Sequence, residues 1–421
     1  MFMKGTRGRV AAAGGLALAM LLVAGCGGGS GATGAPAAVD DKPATGQLTI
    51  WAQAEEAAAL PKFADEFMKL NPGLKITVTP LPWDAAHSKY QTAIASGTTP
   101  DMAQMGTTWM SDFSEAFAPV PQGIDTSGYF DGAVNTTKVN GTALGVPWYV
   151  DTRVFYYRKD LAEKAGYTQC PTTWDDFTAF TKAMQTKAGA KWGVGLPASG
   201  ADSFQSMLMF PWSAGAHLMN SDQSQWTLDT PEMTKAMTYY KSFFADGIAN
   251  PSPDGSPEAA FVNGTTPVLV AGPAEIGSLS QAGGGDAYKA KIGVCRVPAD
   301  KSSTSFIGGS DLVVFKNSKN ADAAWKFARW LSKPDIQVQW QKAVGDLPAL
   351  KSAWDDPSLK GDPLLKVFGD QLQSTDAPPT VTTWTQVSAQ ADKALEQIVR
   401  GGDPATILKD LQSQAQSIGT K

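Results

Sequence analysis

The chain has 421 residues, of which 43% are hydrophobic and 18% are charged, and its formal net charge is −5 at pH 7. This length exceeds what one compact core holds and favours two domains. The mildly acidic balance argues against nucleic acid as a partner, and against a polyanionic ligand unless a local basic patch binds it.

The chain begins with an export signal and a lipid attachment site. Lys4, Arg7 and Arg9 precede the apolar run AAAGGLALAMLLVAG, a pattern typical of a secretory signal and too short for a comfortable membrane-spanning helix. The run ends in LVAGC, which resembles the bacterial lipobox. That resemblance implies cleavage after residue 25 and a diacylglycerol thioether on Cys26. An ordinary secretory signal with a cysteine at the cut site is the alternative.

Residues 26–46 are rich in Gly, Ser, Ala and Pro, a composition typical of a flexible tether, so the folded part is predicted to start near Gln47. No later stretch is apolar enough to cross a membrane. Removal of residues 1–25 takes away three basic residues and no acidic one, so the charge of the mature chain falls from −5 to −8.

Two cysteines remain once Cys26 is acylated. Thiols outside the membrane tend to pair, so a disulfide between Cys170 and Cys295 is predicted, with two separate small hydrophobic side chains as the alternative. Two cysteines and two histidines, His87 and His217, offer no metal-ligand cluster, and neither a metal nor a cofactor is predicted.

Strand and helix patterns alternate along the chain. QLTIWAQ alternates like a strand, EEAAALPKFADEFMKL places its apolar residues on one helical face, and Leu74, Ile76 and Val78 alternate again. This order predicts a right-handed parallel unit, whose ligands usually bind at the edge where the strands end. Further helical faces occur at 233–240, 324–331 and 391–398, and strand-like runs occur in TPVLVAG, KIGVCRVP and DLVVF. We therefore predict an α/β protein with two lobes and several crossings between them.

Five blocks resemble the family 1 extracellular solute-binding proteins, the sugar-binding lipoproteins of ABC importers related to the maltose-binding protein. The blocks are LTIWAQAEE, GTTPDMAQMGTTWMSDF, GVPWYVDTRVFYYRKDLAEKAG, FIGGSDLVVFKNSKNADAAWKFARWLSKP and TWTQVSAQADKALEQIVRGGDP. The resemblance implies a type II periplasmic-binding-protein-like fold with a ligand in the interlobe cleft. It implies lobe 1 at 47–150 plus 307–347, lobe 2 at 151–306 plus 348–421, and crossings near 149–153, 306–310 and 346–348.

The matched loops carry the residue types that a sugar needs. Sugar C–H faces stack on aromatic rings, and hydroxyls pair with planar polar groups such as carboxylates and guanidinium. The resemblance implies these ligand contacts: Gln53, Glu55, Glu56, Gln104, Thr107, Trp109, Trp148, Asp151, Arg153, Trp212, Gly309, Ser310, Asp311 and Trp384.

Several of these positions have structural alternatives. Glu55 and Glu56 could be first-turn helix charges, and Asp151 and Arg153 could form a hinge salt bridge without a ligand role. Asp101 could hold its loop instead of contacting a ligand.

The sequence departs from the family at two places. Asp311 stands where the family commonly has Asn, and Ala274, followed by Glu275, stands where it usually has Trp. Because the Ala274 change removes one stacking platform, the resemblance does not imply maltose itself as the ligand.

The resemblance implies a binding protein and not an enzyme. It implies a monomer that captures a mono- or oligosaccharide by hinge closure and delivers it to the transmembrane subunits of an ABC permease, and indirectly to the ATPase. The protein would be exported and lipid-anchored to the outer face of the cytoplasmic membrane, and the composition suggests a high-GC Gram-positive source.

Two other interpretations stay open at this point. One is a binding protein for a polyamine or a glycerophosphodiester. The other is a secreted glycoside hydrolase, which needs two facing carboxylates. Asp151, Glu275 and Asp311 are candidates for that pair, although nothing in the sequence singles out two of them.

Overall fold

A computed structural model describes residues 38–253 and 255–420, which fold into two α/β halves, each built on its own β-sheet. The predicted signal, Cys26 and the first part of the predicted tether lie outside these residues. This α/β architecture with two separate main sheets confirms the predicted fold class.

Twelve strands are present in the described chain. They are β1 (Gly46–Gln53), β2 (Leu74–Leu81), β3 (Met102–Gly106), β4 (Lys138–Val139), β5 (Thr142–Ala143), β6 (Val146–Thr152), β7 (Val154–Arg158), β8 (Val268–Ala271), β9 (Ile292–Cys295), β10 (Ser305–Val314), β11 (Leu347–Pro348) and β12 (Thr375–Asp376).

Sixteen α-helices accompany these strands in residues 38–253 and 255–420. They are α1 (Ala54–Leu70), α2 (Trp83–Ser96), α3 (Asp131–Thr136), α4 (Lys159–Ala165), α5 (Trp174–Thr186), α6 (Ser203–Ser206), α7 (Met209–Ser213), α8 (Pro231–Ala245), α9 (Pro257–Val262), α10 (Glu275–Ala282), α11 (Ala321–Leu331), α12 (Pro334–Val344), α13 (Pro357–Lys360), α14 (Pro363–Gln371), α15 (Trp384–Val399) and α16 (Pro404–Ile418).

The first sheet has the strand order β11-β6-β10-β3-β1-β2, and β12 joins it beside β10. Strand β1 runs parallel to both β2 and β3, which confirms the predicted strand–helix–strand unit. Strand β10 is antiparallel to β3 and to β6, so β6 runs in the same direction as β1–β3. This shared direction decides which edge of the sheet carries the candidate site.

The predicted apolar face of helix α1 packs against helices α11 and α12 in the first half. Phe63 lies 5.0 Å from the Trp340 ring, and Phe67 lies 5.1 Å from the Phe327 ring. The helix is capped by Asn71, whose side-chain amide donates to the Phe67 carbonyl at 2.9 Å and so satisfies one of the last carbonyls of the helix. The sequence placed this end correctly because Asn-Pro-Gly cannot continue a helix.

The second sheet is antiparallel, with the order β8-β7-β9, and helices α5, α7, α8, α15 and α16 contribute to its core. Phe155 of β7 lies at the centre, 4.4 Å from the Phe177 ring. Cys170, in the loop before α5, forms a disulfide with Cys295 at the end of β9, with 5.6 Å between the two Cα atoms. The bond ties that loop to the second sheet.

The chain passes between the halves at defined strand ends. Strand β6 belongs to the first sheet and β7 to the second, and only Arg153 separates them. The chain returns between β9 and β10, and it leaves again after the short strand β11 to form α15 and α16 in the second half.

The end of the predicted tether differs from the prediction because it packs on the first half. Val39 and Ala44 are buried, and the Ala44 amide donates to the Asn71 side chain at 2.7 Å. Asp40 forms an ion pair at 2.6 Å with Lys326, whose side chain is 7% exposed. The Ala- and Pro-rich composition gave no sign that this segment packs on the fold, because its ion pair depends on a lysine of the distant helix α11.

Among the described residues, no helix combines the length and the apolar character needed to cross a membrane.

Candidate functional site

One edge of the first sheet faces the second half of the molecule. Strand β6 runs parallel to β1, β2 and β3, and its carboxyl end continues directly into the second sheet. The carboxyl ends of β1, β2 and β3 therefore lie on the side of the sheet from which the chain crosses. Residues that follow these strands lie where ligands of open α/β sheets usually bind.

A buried polar network joins the carboxyl ends of β1 and β3 to β6 and β10. The Gln104 side chain accepts a hydrogen bond from the Gln53 amide at 2.8 Å and donates to the Tyr149 hydroxyl at 3.1 Å and the Ser310 hydroxyl at 3.3 Å. The Tyr149 hydroxyl donates to Glu56 at 2.5 Å. Four predicted contact residues, Gln53, Glu56, Gln104 and Ser310, thus meet around Tyr149.

Three buried oxygen atoms at this edge have no hydrogen-bond partner among the described residues. They are Gln53 Oε1, Glu56 Oε2 and Asp151 Oδ1. The amide oxygen of Gln53 is an acceptor. The two carboxylate oxygens act as acceptors, and never as donors, while their groups are ionised. Leaving a buried acceptor unpaired costs about 1–3 kcal/mol. A ligand that donates hydrogen bonds would remove this cost.

The edge is acidic, and burial perturbs several of its carboxyl groups. Burial raises the pKa of Glu56 above its ordinary value despite the hydrogen bond from Tyr149. Burial, and next the charge of Glu56, raise the pKa of Asp346 to about 8. In the second half, burial and the nearby Glu258 raise the pKa of Glu275, at the start of α10, to about 7. Perturbed carboxyl groups gathered at one cleft are typical of functional sites.

Asp151 and Arg153 pair with each other at the first crossing. A Cβ atom on Gly272 would collide with both side chains, so the backbone after β8 lies directly against the pair. The Arg153 guanidinium lies 5.5 Å from the centre of the Phe306 ring. The pair therefore joins three segments at the crossing, and Asp151 keeps one oxygen without a partner among the described residues.

Aromatic rings lie at the ends of β2 and β3. Trp109 closes a 3₁₀ turn, Thr107–Trp109, that directly follows β3, and both Thr107 and Trp109 are partly exposed. The Trp83 ring lies 5.4 Å from the Trp109 ring at an interplanar angle of 64°. His87, which pairs with Asp112 at 2.9 Å, lies 5.3 Å from the Trp109 ring. These rings extend the site toward the outer strand β2.

Two other predicted residues of the first half are buried in its interior. Trp148 is 2% exposed and packs 4.5 Å from the Trp340 ring. Asp311 is 1% exposed, and Thr136 donates to its carboxyl group at 3.3 Å. Both residues therefore lie inside the first half, and the exposed Glu55 lies in the first turn of α1.

Gly309 and Asp101 have backbone and loop-holding contacts. Gly309 has φ +118°, and a Cβ there would collide with the Tyr149 carbonyl, so a glycine is required for β10 to approach β6. Asp101 accepts hydrogen bonds from the Thr49 amide at 2.8 Å and the Ser318 hydroxyl at 2.7 Å, which hold the loop before β3.

The predicted aromatic residues of the second half are both buried. Trp212 of α7 is 4% exposed and lines the large cleft described next. Trp384 is 3% exposed, donates to Gln205 at 3.1 Å, and lies 6.3 Å from the Trp226 ring. Trp384 is thus packed inside the second half at the start of α15.

A cleft of about 1760 Å³ separates the two halves. The hairpin loop 138–141, Asp112 and Glu115 line it from the first half, and residues 215–224 and 376–382 line it from the second. A smaller cavity of about 370 Å³ in the second half is lined by Trp192, Pro197, Glu258 and Glu275, among others. In the part of the chain that the structure describes, no cluster of three potential metal-ligating side chains is found.

Sequence reasoning gave too little weight to three residues at this edge. Tyr149, the centre of the network, was predicted only as part of the first crossing, and Asp346 only as part of the third. Trp83 was not predicted at all. Its signal was its position, between Pro82 and Asp84 at the junction of a predicted strand with the next helix.

Comparison with known proteins assigns the chain to a family. Residues 51–338 match the sequence profile described as "Bacterial extracellular solute-binding protein". The chain is 26% identical to the diacetylchitobiose binding protein DasA of Streptomyces coelicolor, over 96% of this chain and 97% of the relative. It is 24% identical to the maltotriose-binding protein of Pyrococcus abyssi, over 88% of this chain and 82% of the relative.

A solved structure has the same fold. The sugar-binding protein MalE from Xanthomonas citri superimposes with a TM-score of 0.83 at 30% identity, covering 89% of this chain and 97% of that one.

Proposed function

Because the chain belongs to the bacterial extracellular solute-binding protein family, we propose that it is the saccharide-binding component of an ABC importer. Three relatives support a saccharide: one is named for binding diacetylchitobiose, one for binding maltotriose, and the third is described as a sugar-binding protein. The expected partner is the pair of transmembrane permease subunits, which couples the protein indirectly to the ATPase.

The unpaired acceptors at the sheet edge are the observation that carries this proposal. Glu56 Oε2 and Asp151 Oδ1 are buried without partners among the described residues. A saccharide supplies several hydroxyl donors on one rigid ring, and a buried carboxylate forms strong hydrogen bonds with hydroxyl groups. The partly exposed ring of Trp109 would supply the apolar surface for the sugar C–H face.

We propose that the two halves act as lobes that close over the ligand. The lobe limits are those implied by the resemblance, 47–150 plus 307–347 and 151–306 plus 348–421. Ligand groups that contact both lobes bind the closed form more tightly than the open form, and this difference in affinity shifts the equilibrium toward closure. The Asp151–Arg153 pair lies at the first crossing, so a ligand that binds this pair contacts the segment that joins the two lobes.

The proposed mechanism has no chemical step. A secreted glycoside hydrolase would need two carboxyl groups that face one glycosidic bond. Of the three candidates for that role, Asp311 is buried inside the first half. Incubation of the protein with disaccharides should give no product, and turnover at ordinary enzyme rates would refute the transport proposal.

We propose that Cys26 carries a lipid that holds the protein at the outer face of the cytoplasmic membrane. Two acyl chains give the stable attachment that one does not. The described chain packs from Val39 onward, so residues 26–38 would form the tether. Cys26→Ser should move the protein from the membrane fraction to the medium, and an unchanged distribution would contradict the anchor.

The ligand class is tested by thermal unfolding of the lipid-free protein with a panel of saccharides. Binding to the folded state stabilises it by about 2.7 kcal/mol at a ligand concentration 100 times Kd, which raises Tm. Spermidine belongs in the panel because its ammonium groups would also donate hydrogen bonds to the acidic edge. Glycerophosphocholine belongs in it because its phosphodiester could pair with the Arg153 guanidinium. A shift with spermidine and none with any saccharide would overturn the saccharide proposal.

A matched pair of variants links the shift to the proposed site. Glu56→Gln removes the charge that faces the site, whereas Asp65→Asn makes the same change of charge on the exposed face of α1. We expect the ligand-induced Tm shift to fall in the Glu56 variant and to persist in the Asp65 variant. An equal shift in both would place the ligand elsewhere.

A further inference from the structure

The buried side-chain atoms left unpaired at the ligand edge are acceptors without exception in the described chain. They are Gln53 Oε1, Glu56 Oε2 and Asp151 Oδ1, and Glu56 is only 6% exposed. The neighbouring donors are already engaged. The Gln53 amide nitrogen donates to the Tyr90 hydroxyl at 2.7 Å, and the Tyr149 hydroxyl donates to Glu56. A ligand atom that reaches Glu56 therefore needs donors and has little use for acceptors of its own.

A hydroxyl group satisfies such a surface only in part, because it is an acceptor as well as a donor. When it donates to a carboxylate that has no free donor beside it, its own oxygen stays unpaired. A protonated amine has three donors and no acceptor. Its charge also makes its hydrogen bonds to carboxylates shorter and about twice as strong as neutral ones. The hydrogen-bonding pattern of the edge thus matches an ammonium group better than a hydroxyl group.

The charge of the edge points to the same group. Burial, and next the charges of Glu56 and Asp151, raise the pKa of Asp346 to about 8, so these three carboxyl groups lie near one another. Glu55 adds a fourth carboxyl group in the first turn of α1. Arg153, the cation at this crossing, is already paired with Asp151. An ammonium group among these acids would stabilise their ionised forms.

Glu275 brings a further carboxyl group to the crossing from the second half. Strand β8 is antiparallel to β7, with Ala271 opposite Val154, so the carboxyl end of β8 lies at the first crossing. Glu275 begins α10 shortly after this strand and is partly exposed. Burial, and next the charges of Glu275 and Asp151, raise the pKa of Tyr156 well above its ordinary value. Both carboxyl groups therefore lie near the Tyr156 hydroxyl, one from each side of the crossing.

We propose that the preferred ligand is an amino sugar, a saccharide whose rings carry protonated amines. The proposal rests on the proposed function and names the substrate class of the same site. Glu56 and Asp151 accept hydrogen bonds from the ammonium groups at the edge of the first sheet, and Glu275 is the specificity-determining carboxylate of the second half. An N-acetyl group in the same place has one N–H donor and a carbonyl acceptor, so it leaves these carboxylates with fewer partners.

Isothermal titration calorimetry with a matched pair of ligands tests the proposal. Chitobiose, the glucosamine disaccharide with free amines, has the same rings and linkage as N,N′-diacetylchitobiose. Near pH 6.5, where a primary amine is protonated, we expect the free-amine form to bind about tenfold more tightly, because its hydrogen bonds to the carboxylates are charge-assisted. Its affinity should fall as NaCl is raised from about 0.05 M to about 0.5 M, because salt screens charges. The affinity of the acetylated form should stay constant.

Neutral variants assign the preference to particular carboxylates. Glu56→Gln and Glu275→Gln should each lower the ratio of the two affinities about threefold or more. Glu163→Gln makes the same change at an exposed position of α4 in the second half and should keep the wild-type ratio. Because Glu275 is partly exposed, its variant measures the preference even if the variant of the buried Glu56 fails to fold.

The outcomes separate this inference from the function on which it rests. If the wild-type protein binds the acetylated disaccharide or maltose at least as tightly as the free-amine form, the amino-sugar inference is wrong and the saccharide function stands. A preference for the free amine that survives unchanged in the Glu275 variant and in a folded Glu56 variant would also overturn the inference. If spermidine binds and none of the saccharides does, the proposed function itself fails.

Discussion

Asp311 shows how one buried carboxyl group sets a pH dependence for the whole fold. The side chain is 1% exposed, and its hydrogen-bond donor is the Thr136 hydroxyl. Burial raises the pKa of Asp311 to about 8, whereas an unfolded aspartate titrates near 3.9. The folded protein therefore keeps a proton on Asp311 at neutral pH that the unfolded chain has lost.

The sign of the resulting effect follows from proton linkage. The stability that depends on protonated Asp311 is complete below the unfolded pKa and is lost as the pH rises to the folded pKa. While only the folded state holds the proton, one such group lowers the free energy of unfolding by about 1.4 kcal/mol per pH unit. Asp346, whose pKa is also raised to about 8, contributes a slope of the same sign.

We expect Asp311→Asn to make the protein more stable at pH 8 than the wild type and to leave stability at pH 4 nearly unchanged. Asn has the same shape, accepts from Thr136 and carries no charge, so it removes the cost of ionisation. Urea unfolding at several pH values measures this, with the exposed Asp335→Asn as the control. Equal slopes in the Asp311 variant and the wild type would contradict the raised pKa.

The sequence identified residue types at the site better than side-chain positions. Gln53, Glu56 and Gln104 were predicted as ligand contacts, and the structure gathers them at one edge through Tyr149. Trp384 came from the same resemblance, yet it packs inside the second half. A motif fixes where a residue lies along the chain, but the packing of neighbouring helices decides whether its ring is covered.

At the scale of elements, the disulfide ties a loop of the second half to its sheet. Cys170 lies between α4 and α5, and Cys295 ends β9, which pairs with the central strand β7. The bond closes a loop over a sequence separation of 125 residues. In the chain-entropy model, a loop of this length restricts the unfolded chain by about 4–5 kcal/mol.

We expect the double variant Cys170→Ser/Cys295→Ser to lose about 2–5 kcal/mol of unfolding free energy, since relaxation of the reduced chain offsets part of the entropic gain. Urea unfolding with and without reductant measures the effect. Reductant should destabilise the wild type and leave the double variant unaffected. A wild type that is insensitive to reductant, with unfolding as in the double variant, would show that the bond is absent.

Strands with one polar face were predicted from alternation, and buried strands were predicted only where a continuous apolar run marks them, as in β9. Alternation identified β1 and β2 because polar residues mark their outer face. Strand β6 is buried at six of its seven positions, so it offers no alternation, and the family resemblance indicated only a crossing near its end. The short hairpin β4–β5, which lines the large cleft, also escaped prediction, since each strand has two residues.

At the scale of the whole molecule, the strand directions place the candidate site between the halves. Because β6 is parallel to β1–β3 and leads directly into β7, every loop at the carboxyl edge faces the second half. The sequence could not supply this argument, because the antiparallel insertion of β10 between β3 and β6 depends on a strand that lies more than 150 residues after β6.

The same topology predicts how the molecule responds to ligand. The halves are joined by a few extended crossings, and a cleft of about 1760 Å³ separates them. A compact body formed by residues 47–421 would have a radius of gyration of about 21 Å. We expect small-angle X-ray scattering of the lipid-free protein to give a larger value without ligand and a fall toward this limit at saturation with a bound oligosaccharide.

Two controls connect that fall to closure of the lobes over the site. A saccharide that gives no thermal shift should leave the scattering curve unchanged. Asp151→Asn removes a charge at the first crossing, so it should require more ligand for the same fall, without altering the ligand-free curve. If a bound ligand raises Tm but the radius stays constant, binding occurs without closure, and the permease would have to recognise the ligand-bound protein by some feature other than its shape.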